Sequence, residues 1–344
     1  MPVRRGGLFR KGYTMKIGIT VGDACGVGPE LLLRAFDNNE LSKSFVAFGD
    51  LATLEFAKET LGHTTPLQVV GLDDEPVAGV LNVIDLGLLT KEMIQPGKIV
   101  KEAGAAAVKY IEMATRAALD KKIDAICTLP INKESCGLTY PDFQGHTELI
   151  AGMCGVTNYT MMLVTPKLIA THVSTHVSLQ EAVRRVKKER ILDVARLTNN
   201  AVKQIRPQAR IAIAALNPHA GENGKFGNED LDEIAPAVEA ARAEGIDACG
   251  PVPADTLFMK AINGQYDAVV CMYHDQGHIP LKMVAFHEGV NTTIGLPIIR
   301  TSVDHGTAFD IAYKGIASTE NLIAAFNLAV TMVGNAALGV SPMI

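Results

Sequence analysis

The sequence has no tryptophan and only 5% aromatic residues, so it is poor in the flat rings on which nucleic-acid bases stack. It has no basic block either: Lys plus Arg number 32 against 37 Asp plus Glu, a formal net charge of -5. Binding along phosphate backbones draws its energy from clustered cations that release counterions, so nucleic acid is not an expected partner. The six cysteines, at positions 25, 127, 136, 154, 249 and 271, include no CxxC pair, and several lie in apolar runs such as DAICTLP and DAVVCMYH. That usage fits reduced, buried thiols and a cytoplasmic protein. Residues 1–14 carry Arg4, Arg5, Arg10 and Lys11 without an acid, like the start of a signal peptide. No apolar run of about 7 to 15 residues follows, so secretion is not expected, and these residues read as a disordered extension before a first strand at Met15. From Asn321 to Ile344 there is no charge, but Asn321, Asn327, Asn335, Gly334 and Gly339 interrupt the stretch. A packed helix and tail is expected there, and no membrane partner.

The common nucleotide and nucleophile fingerprints are missing too. GDACGVGPE (22–30) has the wrong spacing for GxGxxG, and GENGKFG (221–227) lacks the GK[ST] ending of a P-loop. Gly26, Gly28 and Pro29 read as a tight turn with Pro29 at the first helical position. No GxSxG elbow occurs and no cysteine has a histidine in a local activating motif, which leaves covalent catalysis without a visible carrier.

What is present is an alternation. At 344 residues the chain exceeds the ceiling of about 250 to 300 residues for one core, so two domains or one large α/β unit are expected. Strands are predicted at KIGITV, SFVAFG, LNVIDL, DAICTL, TMMLVT, LIATHV, RIAIAAL, DAVVCMY and NTTIGL. Helices are predicted at PELLLRAF, LATLEFAKETL, EAGAAAVKYIEMATRAAL, LQEAVRRVKKERILDVARLTNNAVKQI (179–205), EIAPAVEAARAEG and ENLIAAFNLAVTMV. Such alternation is the pattern of a parallel sheet flanked by helices. No linker marks a boundary; the loops near Pro130 and at 283–290 are the candidates.

Three predicted strands run straight into loops that hold His176 or His172, His219 and His274. In an open parallel sheet the carboxyl ends share one edge, where ligands gather, so three imidazoles can converge. Two roles are open to them: loop histidines held by hydrogen bonds, or a catalytic metal site with an open position. His172 competes with His176, because residues four apart point to one face of a strand. Asp275 is a ligand, an orienting group or a loop cap. Lys282, Asn291 and Arg300 form a second, cationic set able to hold a phosphate or carboxylate, against the ordinary role of Lys and Arg on solvated faces. GHTE (145–148) adds His146 and Thr147 at an apparent helix start, where backbone N–H groups favour anions. The loop SVDHGTAFDIAYKGIAS is either a plain connection or a backbone against which a nucleotide lies.

The motifs GDACGVGPE, LPINKE, GHTE, THVSL, LNPHAGENGKFGNED, GPVPADTLF, MYHDQGHIPLK and GLPIIRTSVDHGTAFDIA, in this order and over nearly everything after Met15, resemble the 4-hydroxythreonine-4-phosphate dehydrogenase family of pyridoxal phosphate biosynthesis. The opening turn and the HGTAFDIAYKGIA loop also resemble the wider isopropylmalate and isocitrate dehydrogenase superfamily. The resemblance implies an α/β fold of two domains, a sheet with helices on both faces and an active-site cleft between the domains. Residues 15–131 with 284–344 would form a nucleotide-binding domain, and 132–283 the substrate, metal and dimerisation domain. It implies a divalent metal (zinc, cobalt, magnesium, manganese or nickel) on His176, His219 and His274, with the site shared across a homodimer. Substrate contacts are implied for His146, Thr147, Lys282, Asn291 and Arg300, with Lys282 and Asp255 as catalytic groups. NAD or NADP is implied along His305, Gly306, Thr307 and Asp310.

The implied reaction is oxidation of 4-phosphooxy-L-threonine to 2-amino-3-oxo-4-phosphooxybutanoate, then decarboxylation to 3-amino-2-oxopropyl phosphate. HVSTHVSL, and HDQGHIPLK with its His278, resemble a sister branch that converts 4-phospho-D-threonate or 4-phospho-D-erythronate to dihydroxyacetone phosphate. Ala24-Cys25 departs from the Pro-containing turn usual in the family. More distant alternatives for the same residues are a metal-dependent sugar-phosphate aldolase or lyase, and a non-enzymatic phosphometabolite sensor.

Overall fold

The structure, a computed structural model, describes residues 15–41, 44–285 and 288–337; the extension expected at 1–14 lies outside them. Twelve strands occur among the described residues. They are β1 (Ile17–Thr20), β2 (Phe45–Gly49), β3 (Leu67–Val69), β4 (Leu81–Asp85), β5 (Ala125–Thr128), β6 (Thr160–Val164), β7 (Ile169–His172), β8 (Ile211–Ala214), β9 (Ala248–Val252), β10 (Ala268–Cys271), β11 (Val290–Ile294) and β12 (Ile299–Val303). The chain packs as two compact units, one running to Thr157 and resuming at Leu296, the other spanning Asn158–Gly295.

The first unit carries the order β3-β4-β2-β1-β5-β12, with every pairing parallel. Its central strands are buried on both faces, so they read as unbroken apolar runs: all of Ile17–Thr20 and Ala125–Thr128 is buried. The helix Lys101–Leu119 presents a face of small residues, among them Ala103, Gly104, Ala106 and Ala107. A Cβ on Gly104 would meet the Ser135 carbonyl carbon at 2.2 Å, so only glycine lets this helix approach the short helix Lys133–Gly137. Asn132 caps that short helix by accepting from Ser135 N at 2.8 Å, which places Lys133 at its start.

The second unit carries the order β11-β6-β7-β10-β8-β9. Here the expectation of a parallel sheet needs correction: β11–β6 and β6–β7 are antiparallel, and only β7–β10, β10–β8 and β8–β9 are parallel. The cause is local. A parallel return needs a crossover of about a dozen residues, and TPKL between β6 and β7 is a tight turn closed by Thr165 and Leu168. Successive residues of β10 enter two different cores. Val270 packs with Ile191, Val194 and Val238 from the helices Lys188–Lys203 and Ala235–Ala243, while Val269 and Cys271 pack with Leu257, Ala261 and Leu281. Helices therefore cover both faces of this sheet, and each fully buried aliphatic side chain contributes about 1.5–3 kcal/mol.

The predicted helix over 179–205 is two helices, Leu179–Arg184 and Lys188–Lys203. Val186 turns into the core between them, and Glu233 accepts from Lys188 N to start the second. Strands β3, β9 and β12 escaped the sequence, as did the helices at 133–137, Ala254–Ile262 and His274–Val284. Gly250 and Pro251 in β9, and Gly277 and Pro280 in the last helix, are residues that propensity counts as breakers. The final helix, Glu320–Ala337, is the packed helix expected, and no helix among the described residues is long and apolar enough to cross a membrane.

Candidate active site

In the second unit, β7, β10, β8 and β9 are adjacent and mutually parallel, so their carboxyl ends lie along one edge. His172 ends β7, His274 opens the helix after β10, His219 follows β8, and Asp255 lies in the first turn of the helix after β9. The strand stops at His172, so His176 is a loop residue and the shared-face argument for the two does not hold. Both still approach His274, with ring centroids 6.3 Å (His172) and 5.7 Å (His176) away. A fourth imidazole joins them: His278 stacks on His274 at 3.6 Å and lies 4.8 Å from His172.

His172 is fully buried, and neither ring nitrogen finds a hydrogen-bond partner. Gly277 makes this seat possible, because a Cβ there would meet His172 Nε2 at 2.6 Å. Burial, then the charges of His278 and His274, push His172 down to about 3; burial and His274 push His278 down to about 4. Both rings are therefore neutral near pH 7, the form in which imidazole ligates metals. The donor set suits a divalent ion such as zinc. His176 and His274 are close enough to share one, since each centroid would stand about 3.2 Å from an ion bound at the usual Zn–N length. Within one chain, no group of three or more ligating side chains is assembled among the described residues, so His219 is not brought to them. A cavity of about 470 Å³ opens beside the pair, lined by Thr175, His176, Val177, Ser178, Leu179, Ala182, Tyr273, His274 and Asp275. Asp275 Oδ1 stands 2.6 Å from His274 Nδ1 and orients that ring.

His274, His278 and Lys282 recur every four residues on one helix and so share a face, and the Lys282 charge is one of the influences lowering His278. Asn291 lies in β11 opposite Leu163, which faces Ala170, two positions back from His172 along β7. Its Oδ1 is buried without a partner.

Arg300 belongs to the first unit, apart from Lys282 and Asn291 in the division of the chain. It lies within β12, is 3% exposed, and donates from Nη2 to Thr128 Oγ1 at 2.8 Å. Burial lowers its guanidinium to about 10, opposed by Cys127 and Glu148. His146 opens the helix His146–Met153 after Gly145, as GHTE suggested. Burial, then the cations Arg300 and Lys133, hold its ring well below the usual histidine range, while a hydrogen bond with the Leu129 backbone opposes them. Its Nε2 is buried and unpartnered. A neutral imidazole, two cations and a helix N-terminus carrying Thr147 are the kinds of group that can hold a small anion.

The loop between β12 and the last helix is tied to the turn after β1. Val27 N donates to the Thr307 carbonyl at 3.0 Å, and the Tyr313 hydroxyl donates to the Ala24 carbonyl at 2.6 Å. Thr307 is buried against Gly26, while His305, Gly306 and Asp310 are exposed. Beneath the turn, Asp23 is fully buried and accepts from Cys25 N at 2.8 Å. Burial pushes its carboxyl up to about 6.

Sequence reasoning noted His278 without a role and missed His172's buried seat, Asp23, Lys133, Glu148 and Thr128. The four-residue spacing in HDQGH was a usable signal for His278. For the others the sequence carries none, because their partners come from distant segments.

Fold and residues together define an α/β protein with cations beside His146 in one unit and an imidazole cluster in the other. The chain belongs to the family described as "PdxA: Pyridoxal phosphate biosynthetic protein PdxA", whose pattern matches residues 40–329. It is 45% identical over 321 residues to a D-threonate 4-phosphate dehydrogenase of Cupriavidus necator, covering 91% of this chain and 96% of that one. It is 44% identical over 322 residues to a 4-hydroxythreonine-4-phosphate dehydrogenase of Desulforapulum autotrophicum, covering 91% and 94%. The crystal structure of a 4-hydroxythreonine-4-phosphate dehydrogenase from Klebsiella pneumoniae superposes with a TM-score of 0.83 at 39% identity, covering 93% of this chain and 100% of that one.

Proposed function

We propose that this chain is a cytoplasmic, homodimeric, NAD(P)- and divalent-metal-dependent dehydrogenase of a phosphorylated hydroxy acid. The substrate is 4-phosphooxy-L-threonine, oxidised to 2-amino-3-oxo-4-phosphooxybutanoate and decarboxylated to 3-amino-2-oxopropyl phosphate. The observation that carries this reading is the buried pairing of Arg300 with a neutral His146 at a helix N-terminus, which suits a compact anion.

His176 and His274, with His219 completing the set across the dimer, would hold a divalent ion that would supply positive charge to the reacting alcohol, and NAD or NADP would accept the hydride. The chain's own groups do the rest. Arg300, Lys282, Asn291, His146 and Thr147 hold the anionic ends and so orient the reacting carbon. Asp255 accepts the alcohol proton on a carboxylate oxygen, and Lys282 Nζ returns a proton to the carbon that has lost CO2. The loop with His305, Gly306, Thr307 and Asp310 holds the dinucleotide, its backbone anchored on the 24–27 turn.

A second reading takes 4-phospho-D-threonate or 4-phospho-D-erythronate to dihydroxyacetone phosphate. Relatives of both names, at 45% and 44% identity, keep this reading beside the first without ranking it above. One assay decides: nicotinamide reduction on all three phospho-acids, with and without chelator. Reduction that chelator abolishes is expected on one of them; no reduction on any overturns the proposal.

A further inference from the structure

After β8 the backbone does something rare. Six successive residues have positive φ: His219 (54°), Ala220 (55°), Gly221 (78°), Glu222 (44°), Asn223 (55°) and Gly224 (87°). Four of them carry a Cβ, which crowds the following carbonyl in this region, so L residues visit it singly and seldom in series. Such a turn persists only where its surroundings over-determine it.

The surroundings here centre on Asp230. It is 1% exposed, in a π-helical turn, Asp230–Ile234, that precedes the helix Ala235–Ala243. Its Oδ1 accepts from Leu216 N at 2.9 Å, and its Oδ2 accepts from Asn217 N and Asn217 Nδ2, each at 3.0 Å. Asn217 Nδ2 also donates to Glu229 Oε2 at 2.8 Å. One carboxylate thus binds the two residues that lead into the left-handed turn. The turn closes on the same group: a Cβ on Gly221 would meet the Gly227 carbonyl oxygen at 2.9 Å and Asp230 Oδ2 at 3.5 Å. His219, first residue of the turn, is exposed and two positions beyond Asn217.

We propose that Asp230 is the positioning residue for His219, clamping Leu216 and Asn217 so that the left-handed turn presents the imidazole in one orientation. The metal-binding part of its test rests on the reading of His219 as a ligand given above. An outer group that orients a metal-ligating histidine changes affinity about 10- to 100-fold when removed.

The experiment compares wild-type protein, Asp230→Asn and His219→Ala by zinc titration and by hydrogen exchange in the metal-free state. Asp230→Asn should weaken zinc binding about tenfold and speed exchange across 217–226 while the rest of the chain is unchanged. The proposal is overturned if Asp230→Asn leaves zinc affinity at the wild-type value in the assay in which His219→Ala lowers it, or leaves exchange over 217–226 unchanged. If His219→Ala itself leaves zinc binding intact while Asp230→Asn loosens 217–226, the ligand role of His219 falls and the positioning stands. Should Asp230→Asn not fold, Asn217→Ala keeps both backbone amides on Asp230, removes only the side-chain strut, and is read by the same criteria.

Discussion

The His278 ring lies flat on the His274 ring, with centroids 3.6 Å apart and planes 11° from parallel, and His278 Nδ1 stands 3.0 Å from the His274 carbonyl. Two like charges in that contact would repel, and burial together with His274 pushes His278 down to about 4, so that ring is neutral at pH 7. Replacing His278 with Ala removes the plate against which His274 rests. Zinc affinity should fall about tenfold with the melting temperature changed by only a few degrees. Unaltered affinity would mean that Asp275 alone orients the ring.

Arg300 and His146 should act on substrate binding rather than on metal. Arg300→Lys keeps the charge and loses the forked donor, so KM for the phospho-acid should rise about 10- to 100-fold while zinc affinity stays put. Steady-state kinetics beside a zinc titration separates the two. A change in metal affinity with KM constant would refute the assignment of the anion receptor.

Asp23 and His146 pull stability in opposite directions with pH. The Asp23 carboxyl is raised to about 6 from an ordinary 3.8, so the folded state holds the proton more tightly, and this contribution is lost as pH rises through about 6. That difference in proton affinity corresponds to about 3 kcal/mol. Asp23→Asn keeps the acceptor for Cys25 N and removes the charge, so its gain in melting temperature over wild type should be larger near about pH 8 than near about pH 4. An equal difference at both would show an ordinary carboxyl. His146 is held below its unfolded value, so its contribution is present above about pH 6.5 and fades as pH falls. Replacing it with Gln should flatten the acid limb of the stability profile; an unchanged limb would count against a buried neutral ring.

Gly97 has φ +74° and its added Cβ would meet the Phe309 carbonyl oxygen at 2.7 Å, a backbone atom of the loop assigned to the dinucleotide. Gly97→Ala should displace that loop and raise KM for NAD(P) while KM for the phospho-acid is little changed. Equal rises in both would place the loop's role elsewhere.

How much was legible follows from range. The nine predicted strands are all present, because a strand buried on both faces writes itself as a short apolar run that needs no knowledge of its neighbours. GHTE was legible as a helix start and Pro29 as a first-turn proline, both local matters. The helix His274–Val284 was not, because Gly277 and Pro280 argue against it and the reason for Gly277, the imidazole of His172, lies more than a hundred residues away.

The sequence by itself determined the periodicity, the residue types at the strand ends and hence the α/β architecture, since these depend on interactions a few residues long. Tertiary structure alone decided the stacking of His278 on His274, the burial that neutralises His146 and protonates Asp23 more readily, and the clamp of Asp230 on the His219 turn. Those depend on the distance between charges and on the water excluded around them, and neither quantity exists until remote segments have packed together.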